Sequence, residues 1–288
     1  MTNCTNWFQW LTQTRFSSMS EQEKINLTNS LNYVRDNVIG LFSKIEPNDT
    51  IIDIGTGTGL LAFGLLEKIS EDGLVIFSDI SKECLEFCEK EQKEIFPNKN
   101  AQFLYTSCEN IDLPDGAVDK VTMRSVLCHI VDKQNAINEI YRILKPSGEF
   151  VAFEPLLSTN VRYHELTNAE QIENYEEFKR AENQIMSDKN NSLTNFDGES
   201  LKRNFEVAGF TNTEITIQNC DSSYTVCEGM VKKWFEAQQS PNLPSMKDRF
   251  LDFFDVETVN KYILDLEKAL INKQLTTRVQ VMWIKAIK

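Results

Sequence analysis

The sequence predicts an α/β protein, a mostly parallel sheet flanked by helices and interrupted by helical insertions. Two observations predict it. From residue 50 to residue 154, short apolar runs alternate with amphipathic stretches of helical length, the rhythm of strands joined by right-handed helical crossovers. Where the first of those runs ends, three alternate glycines, Gly55, Gly57 and Gly59, lead into the first helix of the series. The composition agrees. With 288 residues, 41% hydrophobic and 25% charged, usage is ordinary for a globular chain. A chain of that size buries roughly three-quarters of its unfolded surface without disulfide or metal staples.

The elements follow in order. Leu27, Leu31, Val34, Val38, Leu41, Phe42 and Ile45 recur at helical spacing and predict a long helix over 21–45, ahead of the turn Pro47-Asn48-Asp49. Before it stands an aromatic cluster, Trp7, Phe8, Trp10 and Leu11. Docking of this N-terminal region on the core is the reading preferred over a lid. Residues 50–54 read as a buried strand, 60–69 as a helix and 74–77 as a second strand. Ser81 is placed to cap a helix that runs to about Phe96 and ends at Pro97. Residues 101–105 and 118–123 are the third and fourth strands. Asp132 caps a helix with Ala136, Ile137, Ile140, Tyr141 and Leu144 on one face, and 149–153 is the fifth strand. The rhythm breaks over 156–196, resumes with a helix at 198–208 and a strand at 213–218, breaks again over 221–275, and closes with a strand at 277–287.

Charge and composition exclude some functions. A net charge of −13 argues against a nucleic-acid grip, which needs a basic face. No apolar run approaches the roughly 18 residues of a membrane span. Met1 to Trp10 lacks a basic stretch followed by an apolar one, so a secretory leader is not expected. Seven scattered cysteines suit a reduced, cytoplasmic setting.

The chemistry centres on Asp53-Ile54-Gly55-Thr56-Gly57-Thr58-Gly59. Such a turn lets backbone approach a ligand without Cβ interference, and the helix that follows offers free N–H groups to an anion. Two ligand classes compete. Gly57, Gly59 and Ala62 meet the G-x-G-x-x-G/A spacing of dinucleotide sites, and Asp79, ending the second strand, suits a ribose in either case.

Three further segments separate the classes: Cys108-Glu109-Asn110-Ile111-Asp112-Leu113-Pro114, Ala117-Val118-Asp119-Lys120-Val121, and Ile140 through Gly148 with its Leu144-Lys145-Pro146. At these points, over about Thr50 to Glu154, the chain resembles the class I S-adenosylmethionine (SAM)-dependent methyltransferases, and within them the group related to quinone-biosynthesis C-methyltransferases. The resemblance implies a seven-stranded Rossmann-like sheet, mostly parallel with one antiparallel strand, and SAM as cofactor. It implies that Gly55, Thr56 and Gly57 lie under the methionyl part of SAM, with Asp53 on its ammonium group. Asp79 would take both ribose hydroxyls and Ile80 would pack on adenine. Glu109 would accept from the adenine amino group, and the Asn110 backbone N–H would reach a ring nitrogen. Arg124 and Ser125 would face the sulfonium, with Arg124 turned to substrate or to a carboxylate.

The implied organisation is an N-terminal helical segment (1–45), a SAM-binding core (46–154), a helical insertion (155–197), a core helix and strand (198–218), a second helical insertion (219–275) and a last core strand (276–288). The two insertions are expected to form a cap, with most of their aromatic side chains in its core. His129, just past the fourth strand, is a candidate general base, set against a backbone-bonded histidine. Glu154, ending the fifth strand, is a candidate base or cation site, set against a capping role. Arg15 and Arg35 are candidates for the SAM carboxylate. Cys84 and Cys88 read as small core residues and not as a metal pair; no metal set is expected. The function expected is methyl transfer to a small-molecule or peptide acceptor in a capped pocket. The alternatives are a NAD-dependent oxidoreductase or a non-catalytic SAM-binding protein.

Overall fold

A computed structural model describes residues 7–14, 21–168, 170–238 and 240–288. In chain order the elements are α1 (Trp7–Gln9), a π-helical turn (Trp10–Thr14), α2 (Glu21–Gly40), β1 (Thr50–Ile54), α3 (Leu60–Leu66), β2 (Leu74–Asp79), α4 (Lys82–Ile95), β3 (Asn100–Tyr105), β4 (Val118–Arg124), α5 (Lys133–Ile143), β5 (Leu144–Leu156), α6 (Tyr175–Ser187), α7 (Gly198–Ala208), β6 (Thr211–Thr225), α8 (Met230–Glu236), α9 (Met246–Phe250), α10 (Val256–Leu270) and β7 (Gln274–Ile287). They fall into two compact units. The first comprises Met1–Pro155, Gly198–Ile217 and Met282–Lys288, the second Leu156–Asp197 and Gln218–Val281.

The sheet has seven strands in the order β3-β2-β1-β4-β5-β7-β6. The pairs β1/β2, β2/β3, β1/β4 and β4/β5 are all parallel. After β1 the chain steps outward through β2 and β3, then returns to place β4 on the other side of β1. This reversal opens a crevice between the C-terminal ends of β1 and β4, the place where open α/β sheets bind ligands. The register sets Asp53 beside Thr122 and Ile54 beside Met123, so the loops leaving these two strands start level with each other.

Local chemistry fixes the helices around that crevice. Ser81 accepts from the Cys84 backbone N–H, and Asp132 from that of Asn135; each cap is worth about 1 kcal/mol. Helix α4 turns Cys84, Leu85 and Cys88 inward. Cys88 and Leu85 join Val34, Val38, Ile39, Phe42, Leu61, Leu65, Val75 and Phe77 in one apolar cluster. Helix α2 is therefore docked on the core, as expected, although it stops at Gly40, short of the predicted 45. Three strands run longer than their apolar cores suggest. β6 and β7 extend to Thr225 and back to Gln274. There, polar cross-strand pairs such as Asp221–Arg278 and Asn219–Gln280 replace the hydrophobic alternation that marks a strand in sequence. β5 begins at Leu144, so Lys145-Pro146-Ser147-Gly148 lies within it.

The second unit has a core of its own. Phe178, Phe235, Phe250 and Tyr262 are buried together, with Phe178 stacked 3.9 Å from Tyr262 and 4.1 Å from Phe254 between ring centroids. Most of the aromatic supply of the insertions is internal, as the sequence suggests. His164 belongs to this core: it is buried and its Nδ1 lies 2.8 Å from Glu182 Oε2. No helix among the described residues is long and apolar enough to cross a membrane.

Candidate cofactor and acceptor site

The glycine turn leaves β1 with φ of 64° at Gly55 and 54° at Gly57, the left-handed region that costs a side-chain-bearing residue about 1–2 kcal/mol. Space is equally restrictive at Gly55, where a Cβ would lie 2.4 Å from Val126 Cγ2. The β1 turn and the β4 turn thus touch through a position that only glycine fits.

Two buried carboxylates brace this turn. Asp53 accepts a hydrogen bond of 2.8 Å from the Thr56 hydroxyl. Burial pushes its pKa up to about 7, against the opposing pull of that bond and of the Arg124 guanidinium. Asp79 accepts from the Gly57 N–H at 2.8 Å and from the Ser81 N–H at 2.9 Å. Burial raises it too, while those N–H groups hold it down. A carboxylate has about four acceptor sites, so Asp79 keeps capacity for hydroxyl donors. Ile80 follows, half-buried, at the strand end.

The β3 side differs from one expectation. The Asn110 N–H is given to the Ser107 carbonyl at 3.1 Å, closing a four-residue turn. It is not available for an adenine nitrogen in this arrangement. Glu109 sits in the same turn, its carbonyl held by the Asn135 side chain at 2.9 Å and its carboxyl raised by partial burial and by Asp132.

Arg124 ends β4, and its charge helps to hold the Asp53 carboxyl down. Ser125 has φ of 54°, a conformation uncommon outside glycine and worth notice beside a site. The next three N–H groups, of Val126, Leu127 and Cys128, all donate to Glu154 at 2.8, 3.0 and 3.1 Å. Glu154 is fully buried and both its oxygens are engaged. The geometry corresponds to the capping role and not to the candidate base. Lys133, whose ammonium donates to the Ile130 carbonyl, is lowered to about 8 by burial against the attraction of Glu154.

His129 closes this turn through its own N–H to Val126 O. Its ring is largely buried, and burial with Lys133 nearby pushes its pKa down to about 4. Trp7 packs edge-on against it with centroids 5.0 Å apart. Phe8 meets Phe87 of α4 at 5.7 Å. Leu11 reaches the glycine turn, its Cδ1 3.1 Å from where a Gly57 Cβ would stand. The aromatic cluster therefore borders the crevice. Trp7, Val126 and Lys133 were not identifiable as site residues in sequence; only the aromatic density near the N-terminus hinted at the first. Of the arginine candidates, Arg35 pairs with Asp36 at 2.8 Å and lies along α3 at Gly64, while Arg15 lies outside the described residues. The buried cysteines 84, 88, 108 and 128 are free thiols raised by desolvation. No metal-holding group of His, Cys, Asp and Glu occurs among the described residues.

A glycine turn braced by two carboxylates stands at the switch point of this sheet order, where an open α/β protein takes its ligand. Comparison with known proteins carries this further. Residues 45–239 match the family described as "Methyltransferase domain", so the chain belongs to the methyltransferases, in the class I SAM-dependent group. The ubiquinone/menaquinone biosynthesis C-methyltransferase UbiE of Francisella tularensis subsp. novicida is 32% identical over 126 residues, 40% of this chain and 49% of that one. The Rickettsia prowazekii protein of the same name is 29% identical over 155 residues, 51% of this chain and 61% of its own length. The chain thus spans about half the length of the first of these curated relatives. Among solved structures, the YcgJ protein of Bacillus subtilis superimposes with a TM-score of 0.55 at 16% identity, covering 91% of this chain and 98% of that one. Phosphoethanolamine N-methyltransferase 2 of Haemonchus contortus, solved with phosphomonomethylethanolamine and S-adenosylhomocysteine, gives 0.53 at 16%, covering 88% and 52%. These likenesses support the fold.

Proposed function

We propose that this chain transfers the methyl group of SAM to a small-molecule or peptide acceptor at the β1/β4 crevice. The observation that carries this reading is the cradle itself: a buried Asp53 and a buried Asp79 bonded to a glycine turn that leaves no room for a Cβ at Gly55 or Gly59. The residues fit the group. The SAM ammonium would offset the desolvation that raises Asp53, and its ribose hydroxyls would take the remaining acceptor sites of Asp79. Bound SAM would supply an electrophilic methyl carbon on a positive sulfur.

The chain's own work is to bind and orient. Proximity and alignment of reactants account for up to roughly 7–11 kcal/mol of such a barrier. Glu154 serves as a positioning residue, holding the 125–129 turn through three backbone bonds. His129 is neutral at physiological pH, so it offers a hydrogen-bond site and holds a proton only weakly. The acidic balance of the chain suits a neutral or cationic acceptor better than RNA.

Titration calorimetry with SAM, S-adenosylhomocysteine and NAD tests the reading. Both sulfur ligands are expected to bind and NAD is not. Asp79→Ala is expected to weaken binding by about tenfold or more, the equivalent of hydrogen bonds to a charged acceptor. Binding of NAD alone, or unchanged affinity in the variant, would overturn the assignment.

A further inference from the structure

The β4 turn and the N-terminal segment bring two unsatisfied polar atoms together. Trp7 Nε1 and His129 Nδ1 are both buried and neither has a hydrogen-bond partner, although their rings are in contact at 5.0 Å. A buried polar atom without a partner forfeits the hydrogen bond it had with water, so an unexplained pair on touching rings calls for a ligand group. The indole nitrogen can only donate. A buried acceptor left unpaired is tolerated better than a buried orphan N–H, which places the imidazole hydrogen on Nε2 and leaves a lone pair on Nδ1. The matching ligand group is one that accepts from Trp7 and donates to His129. A hydroxyl does both through one oxygen.

We propose that Trp7 Nε1 and His129 Nδ1 form a two-point clamp for a hydroxyl group of the acceptor, so that this enzyme's substrate is a hydroxyl-bearing small molecule. The inference rests on the methyl-transfer reading above and adds the acceptor class to it. Neutrality of His129, which burial and Lys133 enforce, keeps the lone pair available. The two jaws differ in anchorage. His129 follows a turn tied to Glu154 by three backbone bonds. Trp7 sits on a three-residue helix that runs into a π-helical turn, a form that recurs at functional sites. Trp7 is therefore the less firmly anchored jaw, the one that can shift to admit the hydroxyl.

The chain contains two histidines, so nitrogen-15 spectra of the imidazoles resolve the question directly. Phenol and anisole serve as probes, added to protein saturated with S-adenosylhomocysteine. Phenol is expected to shift the His129 Nδ1 signal from an unbonded to a hydrogen-bonded position. Anisole, which lacks the O–H, is expected to leave it in place, as both leave His164, already bonded to Glu182. Trp7→Phe keeps a ring but loses the donor and should weaken phenol two- to tenfold, the worth of one neutral hydrogen bond. His129→Phe should weaken it comparably, and His129→Asn, which restores an acceptor, should recover part of the loss. Equal responses to phenol and anisole, no response to either, a protonated Nδ1, or a shift already complete on adding S-adenosylhomocysteine would each overturn the clamp. Failure of S-adenosylhomocysteine itself to bind would instead overturn the methyl-donor reading.

Discussion

Asp53 makes a pH signature that few other arrangements would produce. Its carboxyl is buried and held at about 7, against an ordinary 3.8. Below that value the free protein carries it protonated, and a neutral carboxyl gives little to a ligand ammonium. If the bound ammonium returns Asp53 to the ordinary carboxylate range, affinity for S-adenosylhomocysteine falls nearly tenfold for each pH unit below 7. That amounts to about thirtyfold between about pH 8 and about pH 5.5. Stability moves the other way. The unfolded chain ionises this group near 3.8 while the folded chain keeps its proton until about 7, so the unfolded state binds fewer protons in that window. Stability is therefore lost as pH rises through it. Keeping the charge buried costs up to roughly 4 kcal/mol above pH 7. Asp53→Asn removes that cost. The variant should melt several degrees higher than wild type at alkaline pH yet lose the part of the ligand affinity that titrates near 7. Calorimetric titrations and thermal melts over the same pH series read both effects. A flat affinity profile in wild type, or an Asn variant that binds as wild type does at pH 8, would refute the reasoning.

Other outcomes follow from single contacts. Gly55→Ala meets both a positive φ and a Cβ 2.4 Å from Val126 Cγ2, and should abolish S-adenosylhomocysteine binding. Gly116→Ala, with φ of 63° but open space around it, should cost only about 1–2 kcal/mol of stability and leave binding intact in the same titration. Glu154→Gln replaces a carboxylate that accepts three backbone bonds with an amide that accepts at one atom only. Thermal denaturation should show a loss of roughly 2–3 kcal/mol, and an unchanged melting point would contradict the positioning role. In a thiol-labelling assay on the native protein, the exposed Cys220 and Cys227 should react. The buried, desolvated cysteines 84, 88, 108 and 128 should label only after unfolding.

How much of this was legible beforehand depended on which interactions carried each feature. Strands β1 through β5 and helices α4 and α5 announce themselves through apolar periodicity and through the caps Ser81 and Asp132, because burial and capping act locally on residue type. The glycine turn is legible for the same reason: positive φ leaves its mark as glycine. The extended ends of β6 and β7 are held by polar pairs such as Asp221–Arg278, and polar ladders have no hydrophobic alternation to read. The bond of the Asn110 N–H to Ser107 is not legible because a backbone turn depends on geometry and not on side-chain identity. Glu154 posed the same difficulty. A base and a cap require the same residue at the same strand end, and only the three N–H groups brought to it by the β4 turn distinguish them. Trp7 meeting His129 joins positions more than a hundred residues apart, beyond any spacing rule.

The account stands on what the glycine turn holds. A crystal structure of the complex with S-adenosylhomocysteine addresses that directly. The account predicts the ligand's amino group at Asp53, its amino-acid tail along Gly55–Gly57 and its ribose hydroxyls at Asp79. Density for the ligand elsewhere, or with its ribose turned away from Asp79, would contradict it.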